Sequence, residues 1–276
     1  MSLIDAHLHL QDSRLALEME RIVAQMRELG ISRWMVNGTS PDDWSEVAAI
    51  AAANPEATAG YGLHPWQVNE HGMAGVDKLE SFLVEDPNAF VGEIGLDRWI
   101  RDHDIELQKE CFLRQIEIAN RQERSTAIHC LQSWGNLRDC LNETPPVKPF
   151  LLHSFGGPRE MIGDFLEQGA YFSISGYFFR PDKAGKLAVF DDIPMDRILL
   201  ETDAPDMLPP EEMVRVALGD GLNHPVNLVN VYAAYAAHIS RPIDRVIDQI
   251  AGNFGNWYQG DQAKARSIAE ERSAME

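Results

Sequence analysis

Two histidines, His7 and His9, stand two residues apart in the segment Ile4-Asp5-Ala6-His7-Leu8-His9-Leu10. The run interleaves apolar and polar residues, which predicts a strand. Successive side chains on a strand face opposite ways, so Asp5, His7 and His9 share one face. Two imidazoles so placed can reach one divalent cation. The same pattern also serves as a polar strand face with hydrogen-bonded histidines. Further ligand-type residues recur singly: Glu93 in Gly92-Glu93-Ile94-Gly95, then His129, His153 and Asp203. Four histidines, one glutamate and one aspartate exceed the needs of one tetrahedral ion. Two ions fit better. His7, His9, Glu93 and Asp203 would hold one, and Glu93, His129 and His153 the other, with Glu93 bridging. Water between two such ions loses a proton near neutral pH, and the pair suits in-line displacement at a phosphodiester. Glu93 and Asp203 are the expected catalytic carboxylates, Asp203 as general base.

The elements that must bring these residues together follow from apolar spacing. Helices are predicted over 14–29, 41–53, 76–85, 105–122, 134–141, 159–168, 182–190, 227–239 and 242–251, with 253–258 closing the fold. Strands are predicted over 34–36, 57–64, 90–96, 125–130, 150–153, 171–175 and 198–203, besides the first. Eight strands alternating with helices predict an α/β fold, a (β/α)8 TIM barrel of one domain over residues 1–260, with a polar C-terminal tail over 261–276. The rival, a doubly wound sheet, would place a glycine-rich phosphate turn after the first strand. His-Leu-His-Leu stands there instead, and the chain has no GxGxxG or GxxxxGK[ST]. Active sites of such barrels lie at the C-terminal strand ends. Five of the nine histidines, His7, His9, His64, His129 and His153, fall at predicted strand ends.

Composition narrows the partners. Twenty-four basic against 43 acidic residues leave a net charge of −19. A protein that grips duplex DNA through many phosphates shows a basic footprint, and none is visible as a run. Phosphate esters stay open as substrates, because bound cations supply positive charge locally. No apolar run reaches the roughly 18 residues of a membrane-spanning helix. The first residues lack the basic-then-apolar order of a secretory signal. The three cysteines, Cys111, Cys130 and Cys140, are odd in number and without CxxC spacing, which suits a reducing compartment. The expectation is a cytoplasmic protein with no membrane and no protein partner, a monomer or weak oligomer.

The fragments Ile4-Asp5-Ala6-His7-Leu8-His9, Gly62-Leu63-His64-Pro65, Val91-Gly92-Glu93-Ile94-Gly95-Leu96-Asp97, Ala127-Ile128-His129, Leu152-His153-Ser154-Phe155-Gly156-Gly157 and Glu201-Thr202-Asp203-Ala204-Pro205 occur in that order. With Asn223-His224-Pro225 and Asn253-Phe254, they make the chain resemble the TatD-related metal-dependent hydrolases, amidohydrolase-like barrels of which many are described as deoxyribonucleases. The resemblance runs from residue 4 to about 258. It implies metal ligands at His7, His9, Glu93, His129, His153 and Asp203, and hydrolysis of DNA, with single-stranded ends as substrate. Imidazole-rich sites favour Zn2+ or Mn2+ by ligand softness; the resemblance also allows Mg2+.

His64 is expected to contact substrate, and Asp5 and Glu201 to orient the ligands. Many relatives carry Ser-Arg or a similar basic pair after the fifth-strand histidine, where an arginine would clamp a phosphate. Here the chain reads Cys130-Leu131-Gln132-Ser133-Trp134-Gly135. Arg98 and Arg101 remain as substrate-binding candidates. Trp66, Trp99 and Trp134 lie just past strand ends, where they either stack on a base or sugar or cover the barrel mouth. Two other functions compete: hydrolysis of a carboxylic ester, lactone or amide on the same fold, and metal binding without catalysis.

Overall fold

The computed structural model describes residues 2–259, so the tail expected over 261–276 lies outside the described residues. Eight parallel strands run in the order β1 to β8: β1 (Leu3–Leu8), β2 (Ile31–Asn37), β3 (Ala57–Tyr61), β4 (Phe90–Asp97), β5 (Thr126–Leu131), β6 (Phe150–Leu152), β7 (Ala170–Ser175) and β8 (Ile198–Glu201). Every residue of β1, β4, β6, β7 and β8 is buried. Burial of both faces is why the strands read as near-continuous apolar runs, such as Phe150-Leu151-Leu152. Beyond the last strand the chain returns to the first. The Asp203 N–H donates to the His7 carbonyl at 2.9 Å and the His9 N–H to the Ala204 carbonyl at 2.8 Å. The result is the expected barrel, and the bonds that close it join segments carrying expected ligands.

Helices cover the outside: α1 (Met19–Glu28), α2 (Trp44–Ala53), α3 (Val68–Val76), α4 (Leu79–Glu85), α5 (Ile105–Arg121), α6 (Trp134–Glu143), α7 (Ile162–Glu167), α8 (Ala184–Leu187), α9 (Leu228–His238) and α10 (Ile243–Gln259). α5 begins where the Asp104 carboxylate accepts the Leu107 N–H at 3.0 Å, a side-chain N-cap. Its face of Cys111, Phe112, Ile116 and Ala119 is buried. α10 buries Val246, Ile250, Phe254 and Trp257. It packs at the strand starts, where the Trp257 carbonyl accepts the Ser125 hydroxyl at 2.7 Å.

Several boundaries differ from those the sequence predicts. β3 ends at Tyr61 rather than 64, because the Gln115 side chain takes over as backbone partner. Its carbonyl accepts the Leu63 N–H at 2.6 Å and its amide donates to the Leu63 carbonyl at 3.2 Å. The helix expected over 14–29 opens as a 3-10 turn over Ser13–Glu18 before α1. α3 has no counterpart in the prediction. Gly72 interrupts its period with φ 49° and ψ −152°, a backbone open mainly to glycine. The helix expected over 182–190 is cut to α8 between short turns. The segments at 242–251 and 253–258 are one helix, α10. Asn253 does not break it, because its amide donates to the carbonyls of Met195 (2.8 Å) and Ile198 (2.7 Å).

β4 and β5 approach closely at Gly95, which pairs with His129 and has φ 154°. A Cβ there would stand 1.9 Å from the His129 carbonyl oxygen. Gly95→Ala is therefore expected to destabilise the barrel by about 3 kcal/mol, the upper end of overpacking costs. Gly163→Ala, with nothing within 4 Å of the new Cβ, is expected to be neutral or to stabilise by up to about 1 kcal/mol. Urea unfolding of the two variants beside the parent checks both signs.

Candidate metal centre

At the C-terminal end of the barrel, five imidazoles converge on one carboxylate. Glu93 is 2 % exposed, and its two oxygens face different partners. Oε2 lies 3.3 Å from His7 Nε2 and 3.3 Å from His9 Nε2. Oε1 lies 3.0 Å from His129 Nδ1, 2.8 Å from His153 Nε2 and 3.2 Å from His64 Nε2. Burial alone raises the Glu93 pKa. The imidazoles of His153, His64 and His7 and the hydrogen bond from His129 outweigh it and hold the group well below the usual carboxylate range. Glu93 is an anion at neutral pH.

The Oε2 side is completed by Asp203, whose Oδ1 lies 3.6 Å from His7 Nε2 and 3.5 Å from His9 Nε2. The two histidine nitrogens are themselves 3.3 Å apart. Four donors with bonds of about 2.1 Å to a tetrahedral ion are spaced about 3.4 Å from one another. His7, His9 and Glu93, with 3.3 Å between each pair of donor atoms, therefore meet the spacing of one divalent cation, and Asp203 stands near both nitrogens. On the other side, Glu93 Oε1, His129 Nδ1 and His153 Nε2 form a second triangle, with 3.1 Å between the nitrogens. Its edges are a few tenths of an ångström tighter and would open slightly around an ion.

Hydrogen bonds behind the rings decide which nitrogen offers a lone pair. His9 Nδ1 faces the Asn37 carbonyl at 2.8 Å. A carbonyl only accepts, so Nδ1 carries the proton and Nε2 is free to ligate. His129 Nε2 faces the Asp97 carboxylate at 2.9 Å, which leaves Nδ1 toward Glu93. His153 Nδ1 lies 3.7 Å from Glu201 Oε1. Glu201 is fully buried and is itself held by the Ser154 hydroxyl at 2.5 Å, the Ser154 N–H at 2.9 Å and the Ser173 hydroxyl. His64 is different. Its Nδ1 accepts the Trp66 N–H at 3.2 Å, so the neutral ring carries its proton on Nε2. It offers Glu93 a donor, and its one lone pair is taken by the Trp66 N–H.

Asp5 sits beneath this layer. It accepts the Thr202 hydroxyl at 2.5 Å, the Thr202 N–H at 3.0 Å and the His7 N–H at 3.3 Å. Burial pushes its pKa up to about 8. It touches no imidazole ring and acts on the backbone that carries His7 and Asp203. Arg98 and Arg101 are exposed and make no ion pair among the described residues. The structure does not bring them into the cluster. The Cys130 thiol, beside the site, is pushed well up by burial, which removes it as a nucleophile.

From sequence Asp97 reads as a turn residue or a group behind a ligand rather than a catalyst; its carboxylate accepts from Trp66 Nε1 (2.7 Å) and the Trp99 N–H (2.6 Å) besides facing His129. Two further supports were not singled out. Gln108 holds the backbone of Asp97 from α5, accepting its N–H at 2.8 Å and donating to its carbonyl at 3.0 Å. The signal was there: Gln108 and Gln115 interrupt the apolar face of α5. The Asn37 carbonyl leaves no trace in residue types.

The barrel, with imidazoles and carboxylates gathered at its C-terminal mouth, is that of a metal-dependent hydrolase. More narrowly, the chain belongs to the TatD-related DNase family, whose model matches residues 4–259. It is 26% identical over 206 residues to the uncharacterized metal-dependent hydrolase YjjV of Escherichia coli (strain K12), covering 74% of this chain and 80% of that protein. It is 27% identical over 257 residues to the 3'-5' ssDNA/RNA exonuclease TatD of Erwinia amylovora, covering 91% of this chain and 97% of that one. The YjjV crystal structure superposes with a TM-score of 0.85 at 24% identity, over 93% of this chain and 98% of that one. A TatD-family hydrolase of Entamoeba histolytica follows at 0.84 and 18%, over 95% and 99%. Among the described residues no helix is long and apolar enough to cross a membrane.

Asp97→Asn keeps the shape but removes the charge facing His129 Nε2. Metal affinity is expected to fall about 10- to 100-fold, as for other partners behind a ligating histidine. Chelator competition with Zn2+ measures it, and an unchanged affinity would show that Asp97 serves only the two tryptophans.

Proposed function

We propose that this chain hydrolyses phosphodiester bonds in single-stranded nucleic acid, using two divalent ions shared by Glu93. The observation that carries the reading is the division of Glu93: one oxygen faces His7 and His9, which Asp203 also approaches, and the other faces His129 and His153. Divalent ions held in these two sets would supply electrophilic charge at the scissile phosphorus and make water acidic enough to attack near neutral pH. The remaining work falls to the chain. His9 and His129 present lone pairs fixed by the Asn37 carbonyl and by Asp97, and His7 and His153 turn Nε2 toward Glu93. Asp203 is 13 % exposed at its side chain, open toward the mouth, and accepts the proton of the attacking water. His64 presents an N–H to an anionic oxygen. The exonuclease relatives support single-stranded DNA or RNA as the substrate class. The imidazole-rich donor set favours Zn2+ or Mn2+ over Mg2+.

One observation favours a second reading. The residues after His129 are Cys130, Leu131 and Gln132, none of them basic, and Arg98 and Arg101 lie outside the cluster. A carboxylic ester, lactone or amide needs no phosphate clamp and would suit the same donors.

Protein stripped of metal and reloaded with Mn2+, Zn2+ or Mg2+ is the test. Elemental analysis is expected to give two ions per chain. Turnover is expected on single-stranded DNA and bis-p-nitrophenyl phosphate, with little on an aryl-ester and lactone panel. Glu93→Gln is expected to lower kcat/KM about a thousandfold, or some 4 kcal/mol of transition-state stabilisation, and to cut bound metal to one ion or fewer. Activity only on the ester panel would install the second reading. Full phosphodiesterase activity in a His7→Ala/His9→Ala variant would overturn the metal-based reading altogether.

A further inference from the structure

Six large apolar side chains are a third or more exposed among the described residues, and three of them stand at one edge of the barrel mouth. Trp66 is 50% exposed, Trp99 60% and Leu131 36%. The two indoles lie 6.2 Å apart between ring centroids with 27° between their planes. Leu131 adjoins them through its carbonyl, which accepts the Arg98 N–H at 3.0 Å. A patch of this kind beside an active site marks a place for a ligand.

The Trp66 ring and the Trp99 backbone are fixed relative to the chemistry, and the Trp99 ring rests against the Trp66 ring. A single carboxylate, Asp97, accepts the Trp66 indole N–H at 2.7 Å and the Trp99 backbone N–H at 2.6 Å, and it faces His129 Nε2 at 2.9 Å. His129 in turn faces Glu93. Trp66 also meets the His64 ring edge-on, 5.3 Å between centroids. The aromatic surface is thus one residue removed from the donor set and tied to it by hydrogen bonds. Half-exposed rings held this way bind without first being ordered.

We infer that Trp66 and Trp99 form a stacking platform for an unpaired nucleobase next to the scissile phosphodiester, an inference that rests on the nucleic-acid reading above. The charge of the chain argues for this occupant. A protein at −19 gains little from tracking a phosphate backbone. Stacking gives affinity for single-stranded nucleic acid without a basic groove, and it accepts every base because each has a π-face. Trp99 is the ring to test, since its side chain makes no hydrogen bond to Asp97. Trp66 does, and changing it would disturb His129.

The metal-loaded enzyme is assayed on a thymidine oligonucleotide and on bis-p-nitrophenyl phosphate, which offers no base. Trp99→Ala is expected to lower the ratio of the two kcat/KM values about tenfold, chiefly through KM for the oligonucleotide. Trp99→Phe, which keeps a π-face, is expected to recover most of the ratio. In parallel, tryptophan fluorescence of the metal-loaded protein is titrated with a phosphorothioate-linked thymidine pentamer and with its abasic counterpart. The pentamer with bases is expected to bind about tenfold more tightly, and Trp99→Ala to shrink that difference. Equal binding of the two pentamers, or an unchanged ratio and unchanged binding in Trp99→Ala, would overturn the platform while leaving phosphodiester hydrolysis standing. Base-dependent binding in an enzyme that cleaves only carboxylic esters would sustain the platform and overturn the reading of the reaction.

Discussion

A buried negative charge at Glu93 is the constraint around which this barrel is built. A carboxylate taken out of water is costly unless positive charge or several donors replace its hydration. Here five imidazole nitrogens within 3.3 Å of its two oxygens take that role. Each comes from a different chain segment, apart from the neighbouring pair on β1 and its continuation. The charge can therefore be satisfied only when the strands carrying it stand in their native order. That couples the site to the closure of the sheet.

The coupling is visible in the backbone. The bonds between Asp203 and His7, and between His9 and Ala204, close the barrel between its first and last strands. They also set the spacing of His7, His9 and Asp203. Asp5 strengthens the same seam from below by gripping Thr202 and the His7 N–H. On the opposite side Gly95 lets β4 approach β5 so that Glu93 and His129 meet. Stability and donor geometry rest on shared contacts, which is why substitutions in this layer that leave the fold intact are the informative ones.

Much of this was legible in the sequence because ligand types are rare and strand ends are periodic. His7, His9, Glu93, His129, His153 and Asp203 could be grouped from a barrel expectation alone, since such barrels expose their strand ends on one face. The supports were harder to see. The tautomer of His9 is set by a backbone carbonyl at Asn37, which no residue type announces. The carboxyl of Asp97 could face a turn as easily as a histidine until β4 and β5 are placed in register. Boundaries failed for a related reason. β3 stops at Tyr61 because a glutamine from a helix distant in sequence, Gln115, replaces the next strand partner. Asn253 lies inside one helix rather than between two, and its amide donates to the carbonyls of Met195 and Ile198 at the start of β8 and just before it.

The donor set by itself does not choose a substrate. Two carboxylates and four imidazoles can serve many esters, and barrels of this kind vary their chemistry through the loops at the mouth. In this chain those loops are short of fixed positive charge: Cys130, Leu131 and Gln132 follow His129, and Arg98 and Arg101 are exposed. What the loops do hold in place is aromatic. The Asp97 carboxylate binds His129 on one side and the two tryptophans on the other. The residue that orients a metal-ligand candidate thus also positions an exposed aromatic surface at the rim. Discrimination between an ester with a planar ring beside it and one without can then arise one residue away from the donors, with no change in the donors themselves.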